Sequence, residues 1–381
     1  MNFKRFVIYL CAFIGPLGGN AVLALIPTLQ ATFYVAEAEV LMAITLFMLP
    51  FAIGQLFTSS IARVYGYQNT MIAGYLIYAI GSALGGAATD ITIFLGCRII
   101  QGIGFALVTP VTIAILGDLT EPGTRGRYIG LLNAAIGGGI FLGPIIAGFF
   151  AVINWRLAFY TLGILAICVA YIFWFTFKDM KFDTRPTSAS ILIFELKSVL
   201  KSPKVILLCT SGFLTFFSFI GVISFTAIYI SGPPLNMSEY KLGLIIASSG
   251  LAQIILALPG GLIVDWIGRF KTGFIGFSTG GVIALSFTHA TKFSHFLALA
   301  ALIGFSAVMI WAVLVTLSVE IIPDKKIYVA SIFNSLRFFG FAAAPIALVG
   351  VYTSAGIGGV YFTCACTFII NIIILSFIAK S

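Results

Sequence analysis

The fold is decided by the stretch Leu95-Gly-Cys-Arg98-Ile-Ile-Gln101-Gly-Ile-Gly104. It lies within Ile91–Gly117, a run that is apolar enough and long enough to cross a lipid bilayer. Arg98 is about seven residues from the start of this run, or roughly 10 Å deep at the helical rise. A cation at that depth costs at least about 2.5 kcal/mol, so Arg98 must face a cavity, a partner or a protein interior.

The residues after Arg98 extend this polar feature into a stripe. Gln101 and Gly102 follow at three and four residues, which places them on the same helix face as Arg98. The stripe therefore points inward, and it has two interpretations. Either Arg98 lies in or beside a transport pathway, or it is a structural arginine that bonds carbonyl groups of a neighbouring helix.

The whole composition is that of a membrane protein. The chain is 60% hydrophobic and 9% charged, with a mean hydropathy of +1.13, which no soluble domain of 381 residues would tolerate. Apolar runs of about 20 residues recur along the chain, and counting them gives about twelve helices. The runs are continuous and do not alternate, which excludes a β-barrel. The sequence predicts an all-α membrane protein with twelve transmembrane helices.

Basic residues predict the orientation of these helices. With the N-terminus inside, 16 of the 21 Lys and Arg residues fall in loops on one side and 3 on the other, while Arg98 and Arg337 lie within spans. The positive-inside rule then places both termini in the cytoplasm and the chain in the cell (inner) membrane. The net charge of +9 is thereby explained by topology, and it does not indicate a nucleic-acid partner.

One long polar connection divides the chain into three parts. We predict an N-terminal six-helix bundle at 1–178, a cytoplasmic linker at 179–203 and a C-terminal six-helix bundle at 204–381. Within the linker, apolar residues recur at helical spacing, which predicts an amphipathic helix on the inner membrane face; they are Leu192, Leu196, Val199 and Leu200. A purely solvated linker is the alternative.

The two halves resemble each other. Several residue types recur at an offset of 201 or 202: Pro122 and Pro323, Arg125 and Lys326, Asn133 and Asn334, Pro144 and Pro345, Gly66 and Gly268, and, as a charged pair of opposite sign, Arg63 and Asp265. A nearly constant offset across several helices predicts two pseudo-symmetric bundles with the substrate path between them. Polar residues within spans are the candidates for the walls of this path: Asn20, Gln101, Asn133, Asn334 and Arg337. Interhelical hydrogen bonding is the alternative role for such residues.

These motifs resemble those of the major facilitator superfamily, in its twelve-helix drug:proton antiporter group. Leu95-x-x-Arg98-x-x-Gln101-Gly102-x-Gly104 is similar to the fourth-helix signature of that superfamily. Gly139-x-x-x-Gly143-Pro144-x-x-Ala147-Gly148 is similar to the fifth-helix signature of its efflux antiporters, with Ala147 in place of the usual glycine. The resemblance implies proton coupling through Arg98, with Asp118 as a further coupling residue. It also implies conformational switching at Gly139, Gly143, Pro144 and Gly148.

The inner loops depart from the family pattern. The loop between helices two and three reads Arg63-Val-Tyr-Gly66, with arginine where the family has an aspartate. A closer version stands in the second half as Asp265-Trp-Ile-Gly268-Arg269-Phe-Lys271. These residues are the predicted inner gate. With Arg63 in the first loop, the latch is either rebuilt through Asp118 or Glu121, or weak.

The charges near the bilayer centre also depart from the pattern. None of the 12 acidic residues is expected near the midplane, whereas Arg337 is. Either the substrates are neutral or anionic, or an acid at a span end titrates. The alternative to a role in substrate binding is that Arg337 is purely structural.

The sequence predicts a monomeric, proton-coupled exporter of drug-like or small organic molecules, working by alternating access in the lipid bilayer. The alternatives are a transporter of organic anions or sugars and a non-transporting membrane sensor. No catalytic set, metal cluster or cofactor motif is found in the spans, so an enzyme is not predicted.

Overall fold

The protein is built from helices, as the apolar runs predict. The computed structural model describes residues 3–121, 125–180, 189–256 and 259–380, and no strand occurs within these ranges. Its helices are α1 (Phe3–Phe33), α2 (Glu37–Tyr65), α3 (Tyr67–Ala87), α4 (Ile91–Asp118), α5 (Arg125–Ile153), α6 (Arg156–Phe177), α7 (Ala189–Val199), α8 (Pro203–Ser231), α9 (Glu239–Leu256), α10 (Pro259–Ile267), α11 (Arg269–Ser286), α12 (Phe293–Glu320) and α13 (Lys326–Lys380).

These helices give twelve membrane crossings. Ten segments of the described chain are long and apolar enough to cross a bilayer. One of them contains α13, which is broken at Gly356 (φ 65°) into two crossings. α11 is not among these ten segments, and we count it as the twelfth crossing because it follows Gly268 as α3 follows Gly66; α9 and α10 are counted together as one crossing. The chain is therefore a multi-pass integral membrane protein, and the predicted fold class is confirmed.

The two halves repeat the same local geometry. Gly66 precedes α3 with φ 85° and ψ 150°, and Gly268 precedes α11 with φ 86° and ψ 145°. Only glycine adopts this left-handed backbone at no steric cost, which explains why both loops carry it. The same backbone turn therefore joins the second and third crossings of each bundle.

Close helix packing is repeated as well. Gly139 lies against the carbonyl oxygen of Phe13, and Gly340, 201 residues later, lies against that of Phe213. Likewise, Gly102 lies against the carbonyl of Phe47, and Gly304 lies against that of Ser249. Glycine at these positions lets two helix backbones touch. α1–α6 and α8–α13 thus form two bundles of matching design, called here the N-bundle and the C-bundle.

The bundles meet along two seams. We call the end that carries Phe3 and Lys380 the terminal end and the opposite end the far end. In the α5–α9 seam, Gly243 lies against the carbonyl group of Pro144. A Cβ atom built on Gly148 would lie 2.6 Å from the carbonyl oxygen of Glu239. In the α2–α13 seam, the Thr45 hydroxyl donates to the Ala342 carbonyl at 2.7 Å. These contacts hold the bundles together from mid-depth to the far end.

The connection between the bundles contains the predicted helix. α7 covers Ala189–Val199, and residues 181–188 lie outside the described part of the chain. Val199 is fully buried and Leu196 packs on the protein core, whereas Phe194 is 69% exposed. The last turn of the helix therefore packs on the protein as well as presenting apolar surface outward.

Candidate functional site

Arg98 is anchored inside the N-bundle. Its side chain has no exposed surface, its Nε donates to the carbonyl of Ala43 at 3.0 Å, and its Nη1 donates to Oε1 of Gln101 at 2.7 Å. The guanidinium also lies over the ring of Phe47, at 4.3 Å from the centroid. These contacts tie α4 to α2 and give two of the arginine's three nitrogens an acceptor. Nη2 is the exception, because it is buried and has no hydrogen-bond partner.

The polar stripe continues from Arg98 into α3. The amide of Gln101 donates to the hydroxyl of Ser82 at 2.7 Å, and that hydroxyl donates to the carbonyl of Tyr78 at 2.8 Å. Gln101 has no exposed surface, which does not agree with the prediction that it lines a substrate cavity in this conformation. The sequence interpretation of Arg98 as an arginine that bonds a neighbouring helix matches this geometry.

Arg337 lies in a different environment, among ring faces. Its guanidinium is 3.8 Å from the ring centroid of Trp311, 4.3 Å from that of Phe338 and 5.1 Å from that of Phe216. The rings come from three helices of the C-bundle: α12, α13 and α8. A guanidinium over aromatic faces is attracted by their electron density. We call Arg337 and these three rings the aromatic cage.

The three asparagines predicted to line the path have different surroundings. Asn20 is 8% exposed, and its side-chain amide donates to the carbonyl of Pro16 on its own helix at 2.9 Å. Asn133 and Asn334 are only partly buried. Asn133 lies one turn before Gly137, which packs against Ile254 of α9, so this face of α5 follows the α5–α9 seam. Asn334 lies one turn before Arg337 on α13.

The predicted switching motif divides between two neighbours. Gly139 and Gly143 lie against the α1 carbonyls of Phe13 and Leu17, within the N-bundle. Pro144 and Gly148 lie against α9, across the seam between the bundles. One face of α5 therefore packs tightly against α1 of the N-bundle, and an adjacent face packs against α9 of the C-bundle. Sequence spacing predicted close backbone approach but could not assign the two partners.

The residues predicted for the inner gate lie at the terminal end. Arg269 forms an ion pair with Glu320, and both side chains are about two-fifths exposed, at 41% and 43%. This pair joins the start of α11 to the end of α12, so it ties two helices of one bundle together. Lys271 is exposed. The side chain of Asp265 lies outside the described residues, and the pairing of Arg63 with Asp118 or Glu121 stays a prediction.

Two arginines that the sequence assigned only to loops have defined structural roles. Arg5 donates twice to the carbonyl of Leu119, at 3.0 and 3.3 Å, and once to the hydroxyl of Tyr128 at 2.6 Å. It thereby caps the end of α4 directly after Asp118. Arg156 does the same at the far end of α3, through the carbonyls of Gly86 and Ala88.

The aromatic cage is the feature that sequence analysis missed. Phe338 also contacts Phe51 of the N-bundle, with ring centroids 4.7 Å apart, and Phe51 stacks on Phe105 at the same distance. A continuous group of rings therefore crosses the α2–α13 seam beside Arg337. The local signal was Phe338 next to Arg337, but Phe216 and Trp311 are distant in sequence and are brought together only by folding.

A cavity of about 250 Å³ lies between the bundles at the far end. Its walls include Leu41, Phe225 and Val349, with Glu37 and Tyr352 at the same site. The residues predicted to line the substrate path are not among its walls. This cavity is thus separate from the aromatic cage and from the Arg98 network.

Comparison with known proteins identifies a family. A family model described as Major Facilitator Superfamily matches residues 8–291 and, in a second match, 219–380. The two matches together cover nearly the whole chain, and their overlap agrees with the repeated design of the two bundles.

Several individual proteins are similar at low identity. Multidrug efflux protein YfmO of Bacillus subtilis is 24% identical over 84% of this chain and 79% of its own length. An uncharacterized MFS-type transporter of Methanocaldococcus jannaschii, MJ1560, is 23% identical over 92% of this chain and 94% of its own length. Multidrug resistance protein MdtL of Citrobacter koseri is 31% identical over 49% of this chain, and the match spans 47% of MdtL.

Proposed function

The chain belongs to the Major Facilitator Superfamily, whose members are transport proteins rather than enzymes, and we propose that it exports small organic molecules in exchange for protons. The names of YfmO and MdtL, which refer to multidrug efflux and multidrug resistance, support export of drug-like molecules. The observation that carries the proposal is the division of the α5 motif between two bundles.

That division supports the proposal of alternating access. Gly139 and Gly143 fix α5 to α1, while Pro144 and Gly148 meet α9 across the seam, so α5 can move with the N-bundle while its other face slides or parts from α9. In the orientation that the basic residues predict, the far end is extracytoplasmic. The seams hold this end closed, and the opposite state would open it.

Proton coupling is proposed for Arg98 and Asp118, which lie near opposite ends of α4. Arg98 carries a buried donor without a partner, so a change in protonation or hydration nearby would alter its hydrogen bonds directly. Asp118 at the end of α4 is the acid that we propose to titrate. Its side chain is exposed at the terminal end of α4.

The experiment is transport by purified protein in proteoliposomes under an imposed pH gradient. A panel containing one cationic dye, one neutral drug and one aromatic anion is tested for uptake. We expect gradient-dependent accumulation of at least one compound, and a protonophore should abolish it. Uptake that ignores the gradient would contradict proton exchange, and the absence of flux for the whole panel would favour a non-transporting sensor.

Asp118→Asn supplies the coupling test, with Asp324→Asn, at another exposed acid of the terminal end, as the control. If Asp118 titrates during transport, Asp118→Asn should abolish accumulation driven by the gradient but retain exchange of substrate between the two sides. Asp324→Asn should retain both. Full accumulation by Asp118→Asn would remove this residue from the mechanism.

A further inference from the structure

We propose that the aromatic cage binds a small aromatic organic anion, with Arg337 holding its acidic group and the surrounding rings holding its hydrocarbon part. This inference names the substrate class of the proposed exporter and rests on that function.

Arg337 has no acceptor within the described part of the protein. Its Nε is buried and unpaired. Among the hydrogen bonds and ion pairs of the described residues, none involves its terminal nitrogens. The terminal nitrogens are not among the buried unpaired atoms, so they keep accessible surface. Ring faces cover the plane of the guanidinium and leave the N–H groups along its edge free to donate.

The other arginines that enter the helix packing each donate to a fixed carbonyl group, whereas Arg337 donates to none within the described residues. Arg5 donates to Leu119, Arg98 to Ala43 and Arg156 to Gly86. A structural arginine in this protein is therefore anchored by backbone oxygens. Arg337 departs from that pattern, and a largely desolvated cation without an acceptor lowers stability unless a ligand supplies one.

Within the part of the chain that the structure describes, no negative charge balances Arg337. No acidic side chain is buried among the described residues, and none is in contact with this guanidinium. Arg337 is eleven residues into α13, or roughly 16 Å from its start, which places the charge near the middle of the membrane. An anion would gain strongly from this position, since the nearby medium has a low dielectric constant.

The location also suits a substrate of an alternating-access transporter. Ser335, two residues before Arg337, donates to the carbonyl of Ala52 across the α2–α13 seam at 2.7 Å. Phe338 contacts Phe51 across the same seam. A ligand held by the cage would therefore be in reach of both bundles, and a movement of the seam would change its surroundings.

The chemistry of the walls selects the ligand. The planar guanidinium donates two parallel hydrogen bonds to a carboxylate or sulfonate, which favours an anion over a neutral molecule of equal size. Aromatic faces stack on flat hydrocarbon rings. A flat ring carrying one acidic group fits both features.

The test measures binding of two matched probes to the purified full-length protein in detergent. 1-Naphthoate carries the negative charge, and 1-naphthamide has the same ring system and nearly the same size without it. We expect 1-naphthoate to bind more tightly than 1-naphthamide. Arg337→Gln should weaken the binding of 1-naphthoate roughly tenfold or more, because a charge-assisted pair is lost, and should leave that of 1-naphthamide unchanged.

Arg156→Gln is the control for loss of an arginine elsewhere, and it should leave both affinities unchanged. Arg337→Lys keeps the charge but loses the planar fork, so it should bind 1-naphthoate with intermediate affinity. This variant also serves if Arg337→Gln fails to fold. Equal affinity for the two probes, or equal binding of 1-naphthoate by the wild type and both Arg337 variants, would overturn the proposal.

The result is separable from the proposed function. Proton-driven flux of cationic or neutral compounds without Arg337-dependent binding of 1-naphthoate would overturn the anion site and leave the exporter standing. Arg337-dependent binding without driven flux of any compound would support the site and contradict the exporter.

Discussion

Arg98 and Arg337 show two opposite ways of placing a guanidinium among membrane helices. Arg98 is bonded to a backbone carbonyl and to Gln101, so its burial is compensated by fixed acceptors. Arg337 has ring faces but no acceptor within the described residues. The same residue type therefore has fixed acceptors in one bundle and none among the described residues in the other.

One substitution made at both positions tests this contrast. Arg98→Met leaves the Ala43 carbonyl and the Gln101 side chain without a donor, so it should lower the free energy of unfolding by about 1.5–3 kcal/mol. Arg337→Met removes an unpaired cation from a ring-lined site and should leave stability unchanged or raise it. Thermal melting in detergent measures both. A stable Arg98 variant beside an unstable Arg337 variant would contradict these assignments.

At the scale of the helix, backbone contact at glycine determines the packing of α5. A Cβ at Gly143 would overlap the carbonyl oxygen of Leu17, whereas a Cβ at Gly96 of α4 meets nothing within 4 Å. The sequence alone presents both as glycines within apolar helices. The structure separates the glycine that is required by packing from the one that is not.

This difference predicts opposite effects for the same change. Gly143→Ala should force α1 and α5 apart and destabilise the protein by about 1–3 kcal/mol. Gly96→Ala should be neutral or stabilise by about 0.5–1 kcal/mol, since alanine is the better helix former. The melting temperatures of the two variants test this prediction. If Gly143→Ala is as stable as Gly96→Ala, then α1 and α5 can move apart without loss of stability.

The linker helix α7 is held to the C-bundle by a polar clamp. Lys325 contacts the carboxylate of Glu195 at 2.8 Å and donates to the hydroxyl of Ser198 at 2.8 Å. The hydrogen bond from Lys325 lowers the pKa of Glu195 below its ordinary value of 4.5. The clamp is therefore strongest when Glu195 is ionised.

The pH dependence of this clamp has a definite sign. A depressed carboxyl pKa contributes stability above the unfolded value of 4.5, and the contribution is lost as the pH falls through the lower folded value. Glu195→Gln should therefore increase amide hydrogen exchange in α7 at neutral pH, and acid should do the same in the wild type. Lys197→Gln, on the exposed side of α7, is the control. Unchanged exchange in Glu195→Gln would mean that packing of Val199 alone holds the helix.

At the scale of the whole molecule, the sequence predicted more of the fold than of the site. Apolar run length and the repeat offset gave the twelve crossings and the two bundles, because these depend on local composition. The cage around Arg337 was not predictable, because its rings come from α8, α12 and α13 and meet only through tertiary packing.

The surroundings of the polar residues could not be predicted for the same reason. Arg98 and Gln101 share a helix face, which spacing revealed, but Ala43 and Ser82 complete their network from other helices. The spacing of Gly139, Gly143 and Gly148 likewise revealed small surfaces without their partners. The residue types indicated positions at which another helix could make contact. Which helix makes that contact is determined by the tertiary fold.

Movement of the two bundles about their seams is the central claim, and pairs of spin labels test it most directly. In a background with the six native cysteines replaced, one pair joins Tyr34 to Ser354 at the far end, and another joins Tyr65 to Lys271 at the terminal end. The distances are measured by pulsed electron paramagnetic resonance, with and without substrate, across a range of pH. We predict that the far-end distance lengthens as the terminal-end distance shortens. If both distances stay fixed under conditions in which the same labelled protein transports substrate, alternating access by these bundles is contradicted.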